Sequence, residues 1–539
     1  MIKKTNVRTK SRIISLARKP LVIDGNHLTI EDIREFVCNQ NMFVEVSSTA
    51  YERVQKGKRF LDLEADRGRI LYGINTGFGP MASHIINSDQ MAELQENLIR
   101  SHAVGMGEPI PDEYVLATMI VRLNTLAKGF SGVSLELIRQ LEIFITHRII
   151  PIVPEHGAVG TSGDLVQLAH IALALIGEGE VRHHGIRRST SDVLAELGIT
   201  PHMLQLKEGL ALINGTSAMT GVATHVSAHA NRLLSVSVRL GALALEVVDA
   251  FDDSISEYLH IIRPHRGQGM IARVLRSIVS SSQLLKNRDT FKKSGVMKSK
   301  VEEINEEVQE VYSLRCIPQI LGPIFDTFKK VRGEVEIEMN SVTDNPIIEW
   351  EHKKFLHGGN FHGDYIATGM DQLKAAMTKL TMLAERRTNF FLHDAVNQRF
   401  PPFMNLQTPG LTLGLQGLQF VATSTTAQSQ SLAFPHTIHS IPTNGDNQDV
   451  VSMGFEAAMF AAHVAENAYI VLAIELITLA QAVDYLNIEQ KLSRESRMLF
   501  RVLRDIFPKI TEDRVIVHEL PLVTRLLKET STLDIDWNL

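Results

Sequence analysis

The chain has 539 residues, of which 44% are hydrophobic and 22% charged, and this balance provides enough apolar surface for a large buried core. Such a composition excludes an intrinsically disordered protein, a collagen and a small disulfide-rich scaffold. The net charge is −6 at pH 7, and an acidic chain lacks the basic face that the phosphates of a nucleic-acid partner require.

The basic residues concentrate at the N-terminus. Residues 1–20 carry seven basic side chains and no acidic one, which leaves 48 basic and 61 acidic side chains, a net charge of −13, for the rest of the chain. We predict that residues 1–20 form a disordered tail, whose apolar stretch at 13–17 is too short for a secretory signal. Cys38 and Cys316 are the only cysteines of the sequence, so a reducing cytoplasm is the expected location.

The predicted elements begin with a short β unit and continue as helix. Asp24-Gly25-Asn26 lies between apolar residues and predicts a hairpin within residues 20–31. Three long runs without proline have apolar residues at three- and four-residue spacing and predict long helices, at Ala218–Phe251, Tyr365–Phe391 and Phe455–Leu486. Sustained heptads are absent, so these helices are expected to pack as a bundle. The predicted fold is mainly α, with minor β near the N-terminus.

The most apolar segment is residues 464–486. Glu466, Glu475 and Asp484 interrupt it, and each charge would be costly inside a bilayer. We therefore predict a buried helix of a soluble protein rather than a membrane span.

Polar loops separate the helical runs, and several familiar chemistries do not fit them. Residues 160–164 read Gly-Thr-Ser-Gly-Asp, so the second glycine comes one position too early for a GxSxG nucleophile elbow. Neither 77–79 nor 358–360 continues into the GK[ST] sequence of a phosphate loop. His225 and His229 have i, i+4 spacing on a predicted helix but no third ligand nearby, so no metal site is predicted.

The segment 157–164, Gly-Ala-Val-Gly-Thr-Ser-Gly-Asp, favours a different chemistry. Its small residues let the backbone fold back so that the amide nitrogen of Gly163 approaches the carbonyl carbon of Thr161. Loss of water then closes a five-membered ring, and a second dehydration at Ser162 leaves an exocyclic methylene, an electrophile made from the chain itself. The alternative is an ordinary tight turn before a helix that begins near Asp164, and these residues alone leave both open.

Motifs along nearly the whole chain after the tail carry a resemblance to a known family. They are YGINTGFG at 72–79, the segment 160–179, LALINGT at 210–216, YSLRC at 312–316, DNP at 344–346, GGNFHG at 358–363 and NQD at 447–449. In this order they resemble the aromatic amino acid lyases, that is, the histidine, tyrosine and phenylalanine ammonia-lyases and related aminomutases. The pattern is most similar to bacterial tyrosine ammonia-lyases.

The resemblance implies an architecture and a cofactor. It implies a long-helix bundle of the fumarase/aspartase-like type, with residues 21–213 as an N-terminal domain and 214–539 as the bundle domain. It also implies a 4-methylideneimidazol-5-one (MIO) group, no metal, and a homotetramer with shared active sites. Thr161 stands where the family usually has alanine, but its side chain takes no part in ring formation. We therefore expect Thr161-Ser162-Gly163 to form the MIO autocatalytically, with altered packing beside the ring.

The resemblance also implies the roles of individual residues. The substrate amine adds to the methylene derived from Ser162, and Tyr72 removes the β proton as the catalytic base. Arg315 pairs with the substrate carboxylate, helped by Asn345. The residues expected around the MIO and the amine are Asn214, Gln309, Tyr312 and Phe361.

Two positions bear on the substrate and favour different answers. Ser101-His102 matches the pair that histidine lyases place at the distal end of the pocket, and His102 can hydrogen-bond an imidazole or a phenol. Gln448 replaces the glutamate that histidine lyases carry. A distal histidine without a carboxylate suits a para-hydroxyl best, so we favour L-tyrosine and the product trans-p-coumarate. Histidine, phenylalanine and an aminomutase reaction stay open, and the presence of Tyr72 and Arg315 together with the tripeptide argues against a non-enzymatic scaffold.

Overall fold

The computed structural model describes residues 19–292, 301 and 308–537. Residues 1–18 of the predicted tail lie outside this range, and the first strand begins at Pro20. The described residues form a mainly α protein, as predicted.

The helices of the described chain are α1 (Ile30–Cys38), α2 (Ser48–Asp66), α3 (Met91–His102), α4 (Asp112–Ala127), α5 (Leu135–Thr146), α6 (Leu165–Leu175), α7 (Thr190–Leu197), α8 (Glu208–Ile213), α9 (Ser217–Val247), α10 (Glu257–Ile261), α11 (Arg266–Val279), α12 (Tyr312–Arg315), α13 (Ile317–Met339), α14 (Asp364–Leu392), α15 (Asp394–Asn397), α16 (Gln416–Leu432), α17 (Gly454–Leu486), α18 (Arg494–Ile506) and α19 (Leu520–Glu529). The strands are β1 (Pro20–Ile23), β2 (Phe43–Val46), β3 (Met106–Pro109), β4 (Ile150–Pro151), β5 (Pro154–His156), β6 (Glu180–His183), β7 (Ile186–Ser189), β8 (Ile347–Glu349) and β9 (Lys354–Leu356).

The first β unit differs from the predicted hairpin. β1 pairs with β2 in parallel, and α1 connects the two strands, so the hairpin prediction is wrong. The carboxylate of Asp24 accepts hydrogen bonds from the backbone N–H groups of Asn26 and His27, at 2.8 and 3.0 Å. The turn therefore exists, but it leads into α1, whose start is fixed by a capping box between Thr29 and Asp32.

The remaining strands form small antiparallel sheets. β3 pairs with β5, β6 lies between β4 and β7, and β8 pairs with β9. The pair β8–β9 lies far from the N-terminus, in addition to the minor β structure predicted near it.

The long helices form the bundle that the apolar spacing predicts. α9, α14 and α17 begin and end within a few residues of the predicted runs, and α17 packs against both of the others. α13, a fourth long helix, was not among the predicted runs because Pro318 lies in its first turn and Pro323 in its interior. The hydroxyl of Thr327 donates to the carbonyl of Pro323, at 2.9 Å.

α17 is the one helix of the described residues that is long and apolar enough, by length and composition, to cross a membrane. Of its most apolar window, 78% is buried inside the protein. Glu475 of α17 is fully buried and pairs with Arg387 of α14, whose Nη2 lies 3.1 Å from a carboxylate oxygen. The prediction that this segment is a buried helix is confirmed.

One large cluster of buried apolar side chains extends from Leu21 to Leu533, and a small second cluster contains Leu61, Leu71, Ile74 and Ile348. The predicted domain boundary at residue 213 coincides with the end of α8, four residues before α9 begins. The division into two domains stays a prediction, because the core is continuous across this boundary.

Candidate active site

The loop at 157–163 lies where four helices begin. α6 follows it in the chain, and α9, α14 and α17 start beside it. The N–H of Gly363, just before α14, donates to the carbonyl of Gly160 at 3.0 Å, and the N–H of Met453, just before α17, donates to that of Val159 at 3.1 Å. Helix N-termini carry partial positive charge, so this setting favours an electron-demanding group.

The backbone around Gly163 leaves no room for a side chain. Its φ is +74°, and a Cβ placed there would overlap the carbonyl of Gly215. The same carbonyl accepts the N–H of Asp164 at 2.8 Å, and the side-chain amide of Asn214 donates to the carbonyl of Ser162 at 2.9 Å. The tripeptide is thus held from one side by the residues that precede α9.

Two buried polar groups lie behind the tripeptide. Asn214 is buried, and its Oδ1 has no hydrogen-bond partner within the described chain. Asp164 is fully buried, and its carboxylate accepts the N–H of Met219 at 2.7 Å. Burial raises the pKa of Asp164 to about 8. The sequence had pointed to Asp164 only as the start of a helix, and α6 does begin at the next residue.

A cavity of about 850 Å³ opens over Ser162, a volume suited to a small aromatic ligand. The predicted site residues that line it are Tyr72, Ser101, His102, Ser162, Asn214, Asn345, Phe361 and Gln448. Lining residues that the sequence did not single out include Phe78, Leu94, Leu98, His357, Thr443 and Asn444.

Tyr72 enters the cavity from the glycine-rich loop before α3. The backbone N–H of Gly79 donates to its phenol oxygen at 3.1 Å. The ring of His357 meets the Tyr72 ring edge-on, with 6.3 Å between centroids and an angle of 73°. His357 immediately precedes the GGNFHG motif at 358–363, and that position was the only signal for it.

His102 lies at the end of α3, with its Nδ1 2.8 Å from the carbonyl of Leu98 and 3.1 Å from the hydroxyl of Ser101. A carbonyl only accepts hydrogen bonds, so we assign the proton to Nδ1. In the neutral ring Nε2 is then a hydrogen-bond acceptor.

Gln448 connects the tripeptide to the loop before α17. Its Oε1 accepts from the hydroxyls of Thr161, at 2.6 Å, and Thr443, at 3.0 Å, while its Nε2 donates to the hydroxyl of Ser162 at 2.9 Å. Thr161, expected beside the ring only as a packing difference, is therefore a hydrogen-bond donor.

Asn345 is held from two sides. Its Oδ1 accepts the N–H of Gly358 at 2.9 Å, which leaves its NH₂ group to donate. The preceding residue, Asp344, forms a fully buried ion pair with Lys207 at 2.6 Å. Because Lys207 immediately precedes α8, this pair ties the loop of Asn345 to the helix that ends at Ile213, just before Asn214.

Five predicted residues do not line this cavity: Thr161 and Gly163, which flank Ser162 in the chain, and Gln309, Tyr312 and Arg315. Tyr312 is 69% exposed, and the guanidinium of Arg315 lies 4.6 Å from the centre of its ring. Within the part of the chain that the structure describes, Arg315 forms no ion pair with a carboxylate.

Comparison with known proteins identifies the family. The family model for aromatic amino acid lyases matches residues 28–505. The chain belongs to the aromatic amino acid lyase family. A histidine ammonia-lyase of Staphylococcus aureus strain RF122 is 40% identical over 514 residues, which cover 95% of this chain and 98% of the relative.

Solved structures of other aromatic amino acid lyases agree with the fold described here. Tyrosine aminomutase from Streptomyces globisporus is 36% identical with a TM-score of 0.90, and the match covers 96% of this chain and 98% of that one. Histidine ammonia-lyase from Trypanosoma cruzi is 30% identical with a TM-score of 0.86, and the match covers 96% and 94%. This aromatic amino acid lyase is therefore a carbon–nitrogen lyase.

Proposed function

We propose that this lyase eliminates ammonia from L-tyrosine to give trans-p-coumarate, with an MIO group that forms from Thr161-Ser162-Gly163. The observation that carries the choice of tyrosine is the hydrogen bonding of His102, which lines the cavity and whose Nε2 is left as an acceptor. The activity, its cofactor and its substrate are argued in turn below.

The residues around the tripeptide fit an MIO. Only glycine fits at position 163, and the crowding by Gly215 favours the compact backbone that ring closure needs. Asn214 is placed to hold the ring carbonyl that derives from Ser162, and its buried Oδ1 is available to a further donor. When formed, the MIO supplies the electrophile to which the substrate amine adds.

Tyr72 is the residue that we assign to proton removal at the β carbon. It lines the same cavity as Ser162, and an N–H donor at its phenol oxygen is a contact that a phenolate base would use. Phe361 lines this cavity as well, and we assign it to packing against the substrate ring.

His102 makes the cavity suit a phenol better than a phenyl ring. The hydroxyl of tyrosine can donate to Nε2 of His102, whereas phenylalanine would leave this acceptor without a partner. Histidine is disfavoured for a different reason. No Asp or Glu lines the described cavity, so a protonated imidazole would find no counter-charge there.

Histidine is the second candidate. The 40% identity with a histidine ammonia-lyase favours it, and a neutral imidazole could donate its N–H to His102 as a phenol does. The similarity to tyrosine aminomutase favours tyrosine instead and makes return of the ammonia to the β carbon a further outcome to test.

We also propose a homotetramer in which neighbouring subunits complete each site. Arg315, Tyr312 and Gln309 lie outside the cavity of their own chain, and Arg315 has no carboxylate partner in the described chain. A neighbouring subunit that supplied Arg315 would give the substrate carboxylate its bidentate partner. A cytoplasmic location, without membrane or nucleic-acid partner, is part of the same proposal.

The test is to incubate the purified enzyme separately with L-tyrosine, L-phenylalanine and L-histidine and to identify the products by absorbance and mass. We expect kcat/KM for tyrosine to exceed that for phenylalanine by about tenfold or more, because phenylalanine loses the hydrogen bond to His102. It should also exceed that for histidine, because a protonated imidazole finds no counter-charge in the cavity. Fastest consumption of histidine would overturn the choice of substrate. A β-amino acid in place of an arylacrylate would identify an aminomutase.

A further inference from the structure

A chain of hydrogen bonds connects Thr161 to the hydroxyl of Ser162. The hydroxyl of Thr161 donates to Oε1 of Gln448 at 2.6 Å, and Nε2 of the same amide donates to Oγ of Ser162 at 2.9 Å. The hydroxyl of Thr443 donates to Oε1 as well, at 3.0 Å. With two donors on its oxygen, the amide turns its NH₂ group towards Ser162.

Thr161 and Gln448, the first two residues of this chain of hydrogen bonds, are held firmly. Thr161 is only 3% exposed, within the loop tied to the starts of α14 and α17. The backbone of Gln448 exchanges two hydrogen bonds with Thr443, at 3.0 and 3.3 Å, which fixes the position of its Cα. The orientation of the amide about its last side-chain bond is then set by the hydroxyls that bind its oxygen.

We propose that Thr161 is a positioning residue that directs the N–H of Gln448 at Oγ of Ser162 and thereby speeds the loss of this hydroxyl during MIO formation. This inference rests on the proposed formation of the MIO. It gives the hydroxyl of Thr161 a role in MIO formation, at a position where the resemblance leads one to expect alanine.

The step concerned is the second dehydration. The Cα–H bond of Ser162 gives up its proton, its electron pair becomes the Cα=Cβ double bond, and the Cβ–Oγ bond breaks with its pair going to oxygen. The departing hydroxide combines with one proton, so the net loss is one water. Gln448 keeps its own proton, and its N–H stabilises the negative charge that builds on Oγ as the bond breaks.

The experiment compares Thr161→Val, which keeps the branched shape without the hydroxyl, with Thr161→Ser, which keeps the hydroxyl. Each full-length chain is made by cell-free synthesis, and intact mass is followed over time after synthesis is stopped. We expect the species that has lost two waters to appear about tenfold more slowly for Thr161→Val, the effect of one lost hydrogen bond. Thr161→Ser should stay within about twofold of the natural chain.

A second arm tests whether Thr161 acts through Gln448. Gln448→Leu removes the donor, and we expect it to be at least as slow as Thr161→Val. The double variant should be no slower than Gln448→Leu alone, because two residues that act as one unit are not additive. Two slowing factors that multiply in the double variant would overturn the proposal.

Other outcomes distinguish a failure of the proposed role of Thr161 from a failure of the proposed MIO formation. If Thr161→Val loses two waters as fast as the natural chain does, or if Thr161→Ser is slowed as much as Thr161→Val, the role of the hydroxyl is overturned. The proposal that the MIO forms would be unaffected by either result. A natural chain that never loses two waters would overturn the proposed function itself. If gel filtration shows that Thr161→Val does not fold, Thr161→Ala takes its place with the same expected slowing.

Discussion

His102 is the residue that distinguishes tyrosine from phenylalanine most sharply. Its Nδ1 is engaged by the carbonyl of Leu98, so only Nε2 remains for the ligand, and it accepts rather than donates. A phenol hydroxyl satisfies this acceptor and a phenyl ring does not. The substrate preference of the enzyme should therefore depend on this one nitrogen.

Replacing His102 by leucine should lower kcat/KM for tyrosine by about 10- to 100-fold, because the phenol would lose its hydrogen bond inside the cavity. The value for phenylalanine should stay the same or rise. His102→Gln is the matched control, since its amide oxygen can still accept, and it should lose less activity towards tyrosine than His102→Leu does. Equal losses for tyrosine and phenylalanine in His102→Leu would show that His102 does not contact the para-hydroxyl.

Individual site residues could be predicted from the sequence where they belong to short motifs. The contacts that these residues make with one another could not be predicted. Tyr72, Ser162, Asn214 and Phe361 all stand in recognisable segments, and the structure places them around one cavity. The bond between Thr161 and Gln448 joins residues 287 positions apart, and no local pattern specifies such a pair. For that reason Thr161 could be anticipated only as a packing change.

At the scale of elements, apolar spacing predicted the helices that pack along their whole length. α9, α14 and α17 agree with the predicted runs because each buries a continuous apolar face. α13 was missed since the absence of proline was used as a criterion, and the helix holds Pro318 and Pro323. The turn at Asp24-Gly25-Asn26 was recognised, but whether a strand or a helix follows a turn depends on capping further along, at Thr29.

The elements also explain why the tripeptide lies where it does. Three helices that lie far apart in the sequence, α9, α14 and α17, all begin beside the loop before α6. Backbone N–H groups at the starts of two of them, α14 and α17, donate hydrogen bonds to carbonyls of this loop. Only the assembled bundle brings these ends together. The loops could be identified from the sequence, but the packing of the long helices between them determines where they come together.

For the whole molecule, the account predicts that two inactive chains can restore activity to each other. Tyr72→Phe damages the cavity of its own chain, whereas Arg315→Ala removes a group that we assign to a neighbouring subunit. Mixed tetramers should recover about a quarter of natural activity, since random assembly pairs an intact cavity with an intact Arg315 in one site out of four. Activity can be followed by the absorbance of the product.

The control for this mixture uses two damaged residues of the same cavity. Tyr72 and Ser162 line one cavity within one chain, so Tyr72→Phe mixed with Ser162→Ala should recover no activity. Failure of the first mixture to exceed its separate components would mean that each site is complete within a single chain.

The central claim is that the chain makes its own electrophile at Thr161-Ser162-Gly163, and intact mass tests it most directly. The purified protein should be lighter than its sequence by two waters, with the deficit confined to the peptide that contains these residues. The Ser162→Ala chain, which has no hydroxyl to lose there, should lack the second dehydration. A natural protein whose mass equals that of its plain sequence would contradict the account.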